Sequence, residues 1–471
     1  MNSSSIFFTQ KHVYPKTLWG GCLLLKVIDL IIIMLESEKL SSDELQFAYK
    51  ERSSTTMCSW SVTTVVEYYN RRGAPLYGAA MDMSKAFDMV SWSELFSTLK
   101  SRQINPVILR LMLAIYKGQK CKVLWNEKPS LEFRVTNGVR QGGVISAILF
   151  SVYINELIEE LRKSNLGCHI DGVFLGAFLF ADDVFLLSGN IGGLQELVNI
   201  CSDFASRKNL KFGTDTNIEK SKTKCIAFSK NPREIRNLRN VKLDNLPLPW
   251  VTSVKHLGNK LQSDNSMKLD IALKRGQMIG KVNSLLQEFH YLESNVLMKL
   301  VNSYATSMYG SPLWPLLSSD SEKLYTTWNV TVRNIFHLDR CTHRLLIEPI
   351  SEVIHLKTAL LSRYMKFIKS LKSCDKPSIQ YLCEVVRNDH HSQMGKILTY
   401  ISQTCDVDFS EIDSLSQNEV KKQHTYFTPS QDDEWKIKIS KELHAARRGK
   451  FEIPGFKDEE ILTIFNFICT K

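Results

Sequence analysis

Two adjacent carboxylates, Asp182 and Asp183, stand between short apolar runs, Phe178–Phe180 and Val184–Leu187. That pattern predicts a β-hairpin whose tight turn carries two anions. Neighbouring anions between buried strands repel each other, and a hard divalent cation is the natural compensation. By itself the dipeptide fits a solvated turn better, because Asp is a common turn residue. The rest of the sequence reverses that weighting, beginning with a third carboxylate. Asp82 ends the mostly apolar strand expected over Leu76–Met83, where a buried charge needs either a cation or solvent. Three carboxylates at one sheet end would suit two Mg²⁺ ions, with Mn²⁺ as the alternative, roughly 3.5–4 Å apart. Such a pair clamps the attacking and leaving oxygens of a phosphoryl transfer.

A sheet must bring these residues together. Ser53-Ser54-Thr55-Thr56 offers capping hydroxyls before a helix with Cys58, Val62, Val65, Val66 and Tyr69 on one face, and Arg71-Arg72-Gly73 ends it. Ser91–Tyr116 reads as helical with a break near Asn105-Pro106, and Cys121–Trp125 with Leu131–Val135 as a hairpin. The glycine-rich loop Asn137-Gly138-Val139-Arg140-Gln141-Gly142-Gly143 opens an apolar helix, Val144–Leu161. Its glycines allow a ligand close to the backbone, and a helix N-terminus favours anions. After the acidic hairpin come an amphipathic helix (Leu194, Leu197, Val198, Cys201, Phe204, Ala205), the basic loop Glu219–Lys224 and a strand, Cys225–Phe228. Short strands between Leu243 and Leu257 end at His256-Leu257-Gly258, and from Asp264 the pattern is helical to the C-terminus. This order predicts a ferredoxin-like antiparallel sheet backed by helices, whose central strands lie side by side and let Asp82 meet Asp182.

Of 471 residues, 60 are Lys or Arg and 49 Asp or Glu, a formal charge of +11 that favours a polyanionic partner. Hydrophobic content of 44% is ordinary for a globular chain. Eleven cysteines form no C-x-x-C pair, and with no secretory leader the expectation is reduced thiols in an intracellular protein. The apolar stretch Cys22–Leu35 contains Lys26 and Asp29 and is too short to span a bilayer, so a buried helix is expected and no membrane. Cys374, Cys383, His390, His391 and Cys405 match no standard zinc spacing and are expected to be core or surface residues.

Ala80-Met81-Asp82-Met83-Ser84-Lys85-Ala86-Phe87-Asp88, Gly138-Val139-Arg140-Gln141-Gly142-Gly143 and Phe180-Ala181-Asp182-Asp183 resemble polymerase motifs A, B and C. They look like those of the reverse transcriptases of non-LTR (LINE-type) retrotransposons. The resemblance continues through Glu219–Phe228, His256-Leu257-Gly258, Ser303–Ser311, Trp328–Ser351 and Ile468-Cys469-Thr470. It implies an α+β right-hand polymerase palm with partial fingers, followed by a helical thumb and a helical C-terminal region. The implied division is a residual fingers segment at 1–50, the palm with part of the fingers at 51–258, the thumb at 259–320 and the C-terminal region at 321–471. The implied activity is RNA-directed DNA synthesis in the nucleus or cytoplasm. An RNA template directs addition of a dNTP to a DNA primer whose 3′-OH attacks the α-phosphate.

Carried over residue by residue, Asp82 and Asp182 would ligate both metals, the Met83 carbonyl would complete one shell, and Asp183 would be auxiliary. Arg140, Gln141 and Gly142 would line the nucleotide and template pocket. Phe87 matches the steric gate, a ring that collides with a ribose 2′-OH, the group separating NTP from dNTP; a core Phe is the competing reading. Lys222 is the choice for a proton donor to pyrophosphate, with Lys220 and Lys224 as rivals and a solvated charge run as the alternative. His256, Leu257 and Gly258 would form the primer grip. Arg333, His337, Arg340, His343 and Arg344 beside Trp328 would grip RNA or form a solvated helix end.

The sequence also departs from the family pattern. In Leu45-Gln46-Phe47-Ala48-Tyr49-Lys50, Ala48 stands where the family usually has Gly, and Ala147 replaces a Pro that commonly follows motif B. The family's Tyr-Arg-Pro-Ile-Ser stretch and its preceding endonuclease are not found. These departures predict an N-terminally truncated element with weakened triphosphate binding. The alternatives are a catalytically silent nucleic-acid-binding remnant and, sharing the carboxylates but lacking motif B and a thumb, a nucleotidyl cyclase.

Overall fold

The computed structural model describes residues 41–409 apart from 127, 216–220, 230, 232–237, 341, 343, 352 and 406. The helix expected at Cys22–Leu35, Lys220, His343 and the C-terminal Ile468-Cys469-Thr470 lie outside the described residues. Among those described, the chain divides into two compact units, one drawing on 41–58 and 73–252, the other on 59–72 and 253–409.

The first unit is built on a five-stranded sheet. Its strands are β1 (Leu76–Asp82), β2 (Ala177–Phe180), β3 (Asp183–Ser188), β4 (Lys224–Phe228) and β5 (Trp250–Val251), in the order β5-β4-β1-β3-β2. Pairing is antiparallel except at β4–β5, which is parallel. That pair makes the sheet mixed, where a purely antiparallel one was expected. The cause is the chain's return after β4: Cys225 N–H donates to the Pro249 carbonyl (2.8 Å), so the edge strand enters beside β4 in the same direction. β1 is central, paired to β4 on one side and β3 on the other, and its mostly apolar residues suit a strand covered on its faces.

Helices cover the sheet. Short α2 (Ala86–Met89) follows β1, then α3 (Trp92–Ser101) and α4 (Pro106–Lys117), separated at Asn105, whose side chain caps α4 by accepting from Val107 N–H (2.9 Å). α5 (Val144–Lys163) packs on α6 (Ile191–Arg207), and α6 lies on β1 and β3. The apolar face of α6 is buried at Leu194, Leu197, Val198, Cys201 and Phe204, each contributing about 1.5–3 kcal/mol if fully removed from water. Asn190 caps its start, accepting from Gly193 N–H (2.7 Å).

Helix α1 (Thr55–Arg71) gives its first turn to the first unit and the rest to the second. In the second unit the hairpin β6 (Ser253–His256) and β7 (Asn259–Gln262) leads into α7 (Lys268–Glu288). There follow α8 (Ser294–Tyr304), α9 (Ser319–Phe336), α10 (Arg344–Ser351), α11 (Leu356–Lys372), α12 (Pro377–Arg387) and α13 (Gln393–Cys405). Asp270, buried, joins hairpin to helices by accepting from Lys260 N–H (3.0 Å) and Trp314 Nε1–H (2.8 Å). Among the described residues no helix is long and apolar enough to cross a membrane.

Candidate active site

The β1–β3 register sets Asp82 directly opposite Asp183. Opposed residues of an antiparallel pair project to the same face, so these two carboxylates share one end of the sheet. The β2–β3 connection is a two-residue turn, Ala181-Asp182, with Phe180 paired to Asp183. Asp182 alone is therefore in the turn, and Asp183 is the first residue of the strand rather than a turn residue as expected. Ala181 adopts a left-handed backbone, φ 55°, a conformation that costs an L-residue roughly 1–2 kcal/mol. Met83 N–H donates to the Asp182 carbonyl (3.4 Å), which laces the turn to the end of β1.

Electrostatics reflect the crowding. Burial pushes the Asp182 carboxyl above its usual range, and the Asp82 charge pushes it the same way. The Lys222 ammonium lies 3.0 Å from Asp82 Oδ2 and is the counter-ion at this end of the sheet. Its own pKa is raised by the hydrogen bond and charge of Asp82, with smaller help from Asp182 and Asp183. Of the two candidate lysines among the described residues, Lys224 lies in β4 opposite Ala80, and Lys222 reaches Asp82. The loop that carries its neighbour is tied to β1: Gly213 N–H donates to the Asp82 carbonyl and Ser84 N–H to the Lys211 carbonyl (2.8 Å each). The donor set fits a hard cation, since two carboxylates and the Met83 carbonyl are all oxygen. Among the described residues no group of three or more ligating side chains gathers around one point.

The glycine loop is knitted onto the chain after β1. Gly138 N–H donates to Val90 O (2.9 Å), Val139 N–H to Phe87 O (2.8 Å), and Trp92 Nε1–H to Gly138 O (2.7 Å). A Cβ at Gly138, where φ is 84°, would sit 2.8 Å from the Asp88 carbonyl oxygen, so only glycine allows this approach. Beyond it Gln141 and Gly142 are exposed, and Arg140 Nε donates to Gln119 Oε1 (3.3 Å). Phe87 is half-buried. One face stacks on the buried Phe150 (centroids 4.7 Å, 15°), and the Tyr49 ring meets it edge-on (6.4 Å, 79°).

In the second unit, the sequence-expected grip forms a two-residue turn between β6 and β7, with φ 45° at Leu257 and 85° at Gly258. Positive φ at both positions is the type I′ signature. His256 is buried, its Nδ1 sharing a hydrogen bond with the Ser59 hydroxyl (3.0 Å), and burial pushes its pKa down to about 3. It is a structural support for the turn rather than a surface group. Tyr309 braces the turn from below, its hydroxyl donating to the Leu257 carbonyl (2.7 Å), and Lys274 lies over the Tyr309 ring (5.6 Å). The basic cluster near Trp328 is partly structural, since Arg333 donates through Nε and Nη2 to the Thr342 carbonyl. Cys374, Cys383 and Cys405 are buried.

Sequence reasoning missed Gln46. Fully buried, its Oε1 accepts from Ala181 N–H and from Ala48 N–H (3.0 Å each), which fixes the acidic turn to the segment before α1. One polar residue inside the apolar run Leu45-Gln46-Phe47-Ala48 was the available signal.

Comparison with known proteins sets this geometry in context. The chain is similar to the retrovirus-related Pol polyprotein of the type-2 retrotransposable element R2DM of Drosophila melanogaster, 30% identical over 33% of this chain and 14% of that protein. It is also similar to the corresponding polyprotein of the type-1 retrotransposable element R2 of Popillia japonica, 23% identical over 55% of this chain and 42% of that protein. It thus spans less than half the length of either relative. Among solved structures, apo telomerase from Candida tropicalis aligns over 88% of this chain and 61% of that one, at 12% identity and a TM-score of 0.39. The family model described as reverse transcriptase (RNA-dependent DNA polymerase) matches residues 22–261, more than half of the sequence. Its match runs through β1, the glycine loop and the acidic hairpin, and the chain belongs to that family.

Proposed function

We propose that the first unit is a polymerase palm that extends a DNA primer with dNTPs on an RNA template, as a non-LTR retrotransposon reverse transcriptase does. The observation that carries this reading is the register that sets Asp82 against Asp183 at the end of the sheet where Asp182 turns. Asp82 and Asp182, with the Met83 carbonyl, would hold divalent cations, Mg²⁺ or Mn²⁺. When bound, these supply the positive charge that phosphoryl transfer needs. Asp183 adds to the negative potential at the same end. Lys222 Nζ keeps its proton beside Asp82 and, being exposed, is placed to pass it to a pyrophosphate oxygen. Phe87, fixed on Phe150, presents its free edge where a ribose 2′-OH would clash. Arg140, Gln141 and Gly142 present the loop that would face the nucleotide and template. In the second unit we read 259–320 as the thumb and the helices after it as the C-terminal region. There Leu257 and Gly258, rather than His256, would meet the primer.

Primer extension on an RNA template tests this. Asp82→Asn should lower the rate by a thousandfold or more, about 4 kcal/mol or above, while primer–template binding persists. Extension by Asp82→Asn at the wild-type rate would overturn the assignment.

A further inference from the structure

The segment just before α1 holds an unusual juxtaposition. Leu45, Phe47 and Ala48 are buried, and Phe47 packs against Phe178 of β2 (6.3 Å). Phe47 N–H donates to Leu179 O (2.8 Å) and Leu179 N–H to Leu45 O (2.9 Å), so the segment runs as a parallel extension along β2. Lys50 then ties back, Nζ donating to the carbonyls of Ser42 and Asp43 (2.6 Å each). Between these anchors Tyr49 is pushed outward. It is 54% exposed, and its backbone is left-handed, φ 58°. For a bulky residue that conformation is a real outlier. With the side chain more than half exposed, burial compensates little for it. The strain has one visible result: the ring edge stands against Phe87 (6.4 Å). Burial, and after it the Asp182 charge, raises the pKa of its hydroxyl.

Gln46 accounts for the precision. One carbonyl oxygen accepts from Ala181 N–H, in the turn that carries Asp182, and from Ala48 N–H, next to Tyr49. A single buried amide therefore fixes the acidic turn and the tyrosine relative to each other. Ala181, which donates one of these bonds, and Tyr49, which follows the other donor, both have left-handed backbones.

We infer that Tyr49 is the second wall of the sugar subsite for the incoming deoxynucleoside triphosphate, completing with Phe87 an aromatic corner, and that Gln46 is the positioning residue that holds this wall in register with the acidic turn. The inference rests on the polymerase reading and deepens it. A corner limits the sugar from two directions, whereas Phe87 alone, stacked on Phe150, bounds it from one. Tyr49 therefore acts on nucleotide affinity and sugar discrimination rather than on the chemical step. Gln46 acts through Tyr49 and the turn, and touches neither primer nor template.

The test uses the full chain, single-nucleotide primer extension and a competitor-challenged complex of labelled primer–template with the next dNTP. Tyr49→Ala should raise KM for dNTP about tenfold with kcat changed less than threefold, and should lower dNTP-over-NTP selectivity about tenfold. Tyr49→Phe should keep selectivity within twofold, because the ring makes the wall. Gln46→Met, close in size but no hydrogen-bond acceptor of comparable strength, should reproduce the selectivity loss and also lower kcat. Gln46→Glu, which keeps the acceptor, should recover selectivity. The complex assay should show the same tenfold loss of dNTP affinity in Tyr49→Ala, with primer–template affinity unchanged. If Asp82→Asn abolishes extension while Tyr49→Ala keeps wild-type KM and selectivity, this inference fails and the polymerase reading stands. If the wild type neither extends primer nor forms a dNTP-dependent complex, both fall.

Discussion

The protein contains two tight turns of the same length that are held in opposite ways. The acidic turn, Ala181-Asp182, is bounded by Phe180 and Asp183, and the second turn, Leu257-Gly258, by His256 and Asn259. Both force positive φ on a residue with a side chain, Ala181 and Leu257. At the acidic turn the supports are polar: the Gln46 carbonyl, the Met83 N–H and the Lys222 ammonium nearby. They leave like charges together, and burial, reinforced by the Asp82 charge, raises the pKa of the Asp182 carboxyl. At the second turn the supports bury an imidazole and seat the backbone on Tyr309. One turn keeps electrostatic strain where chemistry is proposed, and the other removes it. Substitutions in the first should therefore cost activity, and substitutions in the second should cost stability.

The loss of rate in Asp82→Asn is the largest effect expected, and it should come without loss of fold. The next largest concerns pH and the second turn. His256 is pushed down to about 3 in the folded chain, against about 6.5 unfolded. A base with a depressed folded pKa stabilises fully above its unfolded value, and that contribution fades as pH falls from 6.5 toward 3. The full difference corresponds to about 4–5 kcal/mol at the bottom of the window. His355, pushed down to about 4 mainly by burial, titrates in the same direction. Hydrogen exchange should therefore show the second unit losing protection between pH 6.5 and 4. His256→Gln should flatten the slope, and an unchanged slope would remove His256 as its source.

The Gly258→Ala substitution gives a smaller effect at the same turn. A Cβ there would sit 2.9 Å from Tyr309 Cε1, on a backbone with φ 85°. A loss of about 1–2 kcal/mol in thermal or denaturant unfolding is expected. If the substitution proves neutral, Tyr309 does not brace the turn.

How much of this was legible in the sequence follows from where each support lies. The acidic hairpin was readable because apolar runs flank the carboxylates, and β1 because a run of small apolar residues ends in Asp82. The α3–α4 break was announced by Asn105-Pro106, and the α6 face by its spacing. His256 was read as a grip residue, although Ser253-Val254-Lys255-His256 alternates, with Val254 and His256 on the buried side; that period already pointed inward. The link from Gln46 to Ala181 was not legible. It joins residues far apart in sequence through one side-chain oxygen, and no local pattern encodes such a partner. The parallel β4–β5 pair was hidden for a similar reason, because two residues of edge strand carry too little pattern to declare direction. The division of α1 between two compact units leaves no mark in its periodicity.

The smallest effect divides the two turns most sharply. Burial, reinforced by Asp82, raises the Asp182 carboxyl. An acid with a raised folded pKa destabilises the fold while it is ionised, and the penalty disappears as pH falls through the folded value. At neutral pH Asp182→Asn removes that charge while keeping nearly the same shape, so the fold should gain a little stability. Lys222 limits the gain, since its ammonium offsets part of the repulsion. The midpoint of thermal unfolding should thus rise slightly at pH 7 and converge with wild type near pH 4, while primer extension is lost. A lower midpoint at pH 7 would mean that the carboxylate supports the turn rather than straining it. The acidic turn would then be held as the second one is, by its local contacts, and its charge could not be assigned to catalysis on grounds of strain.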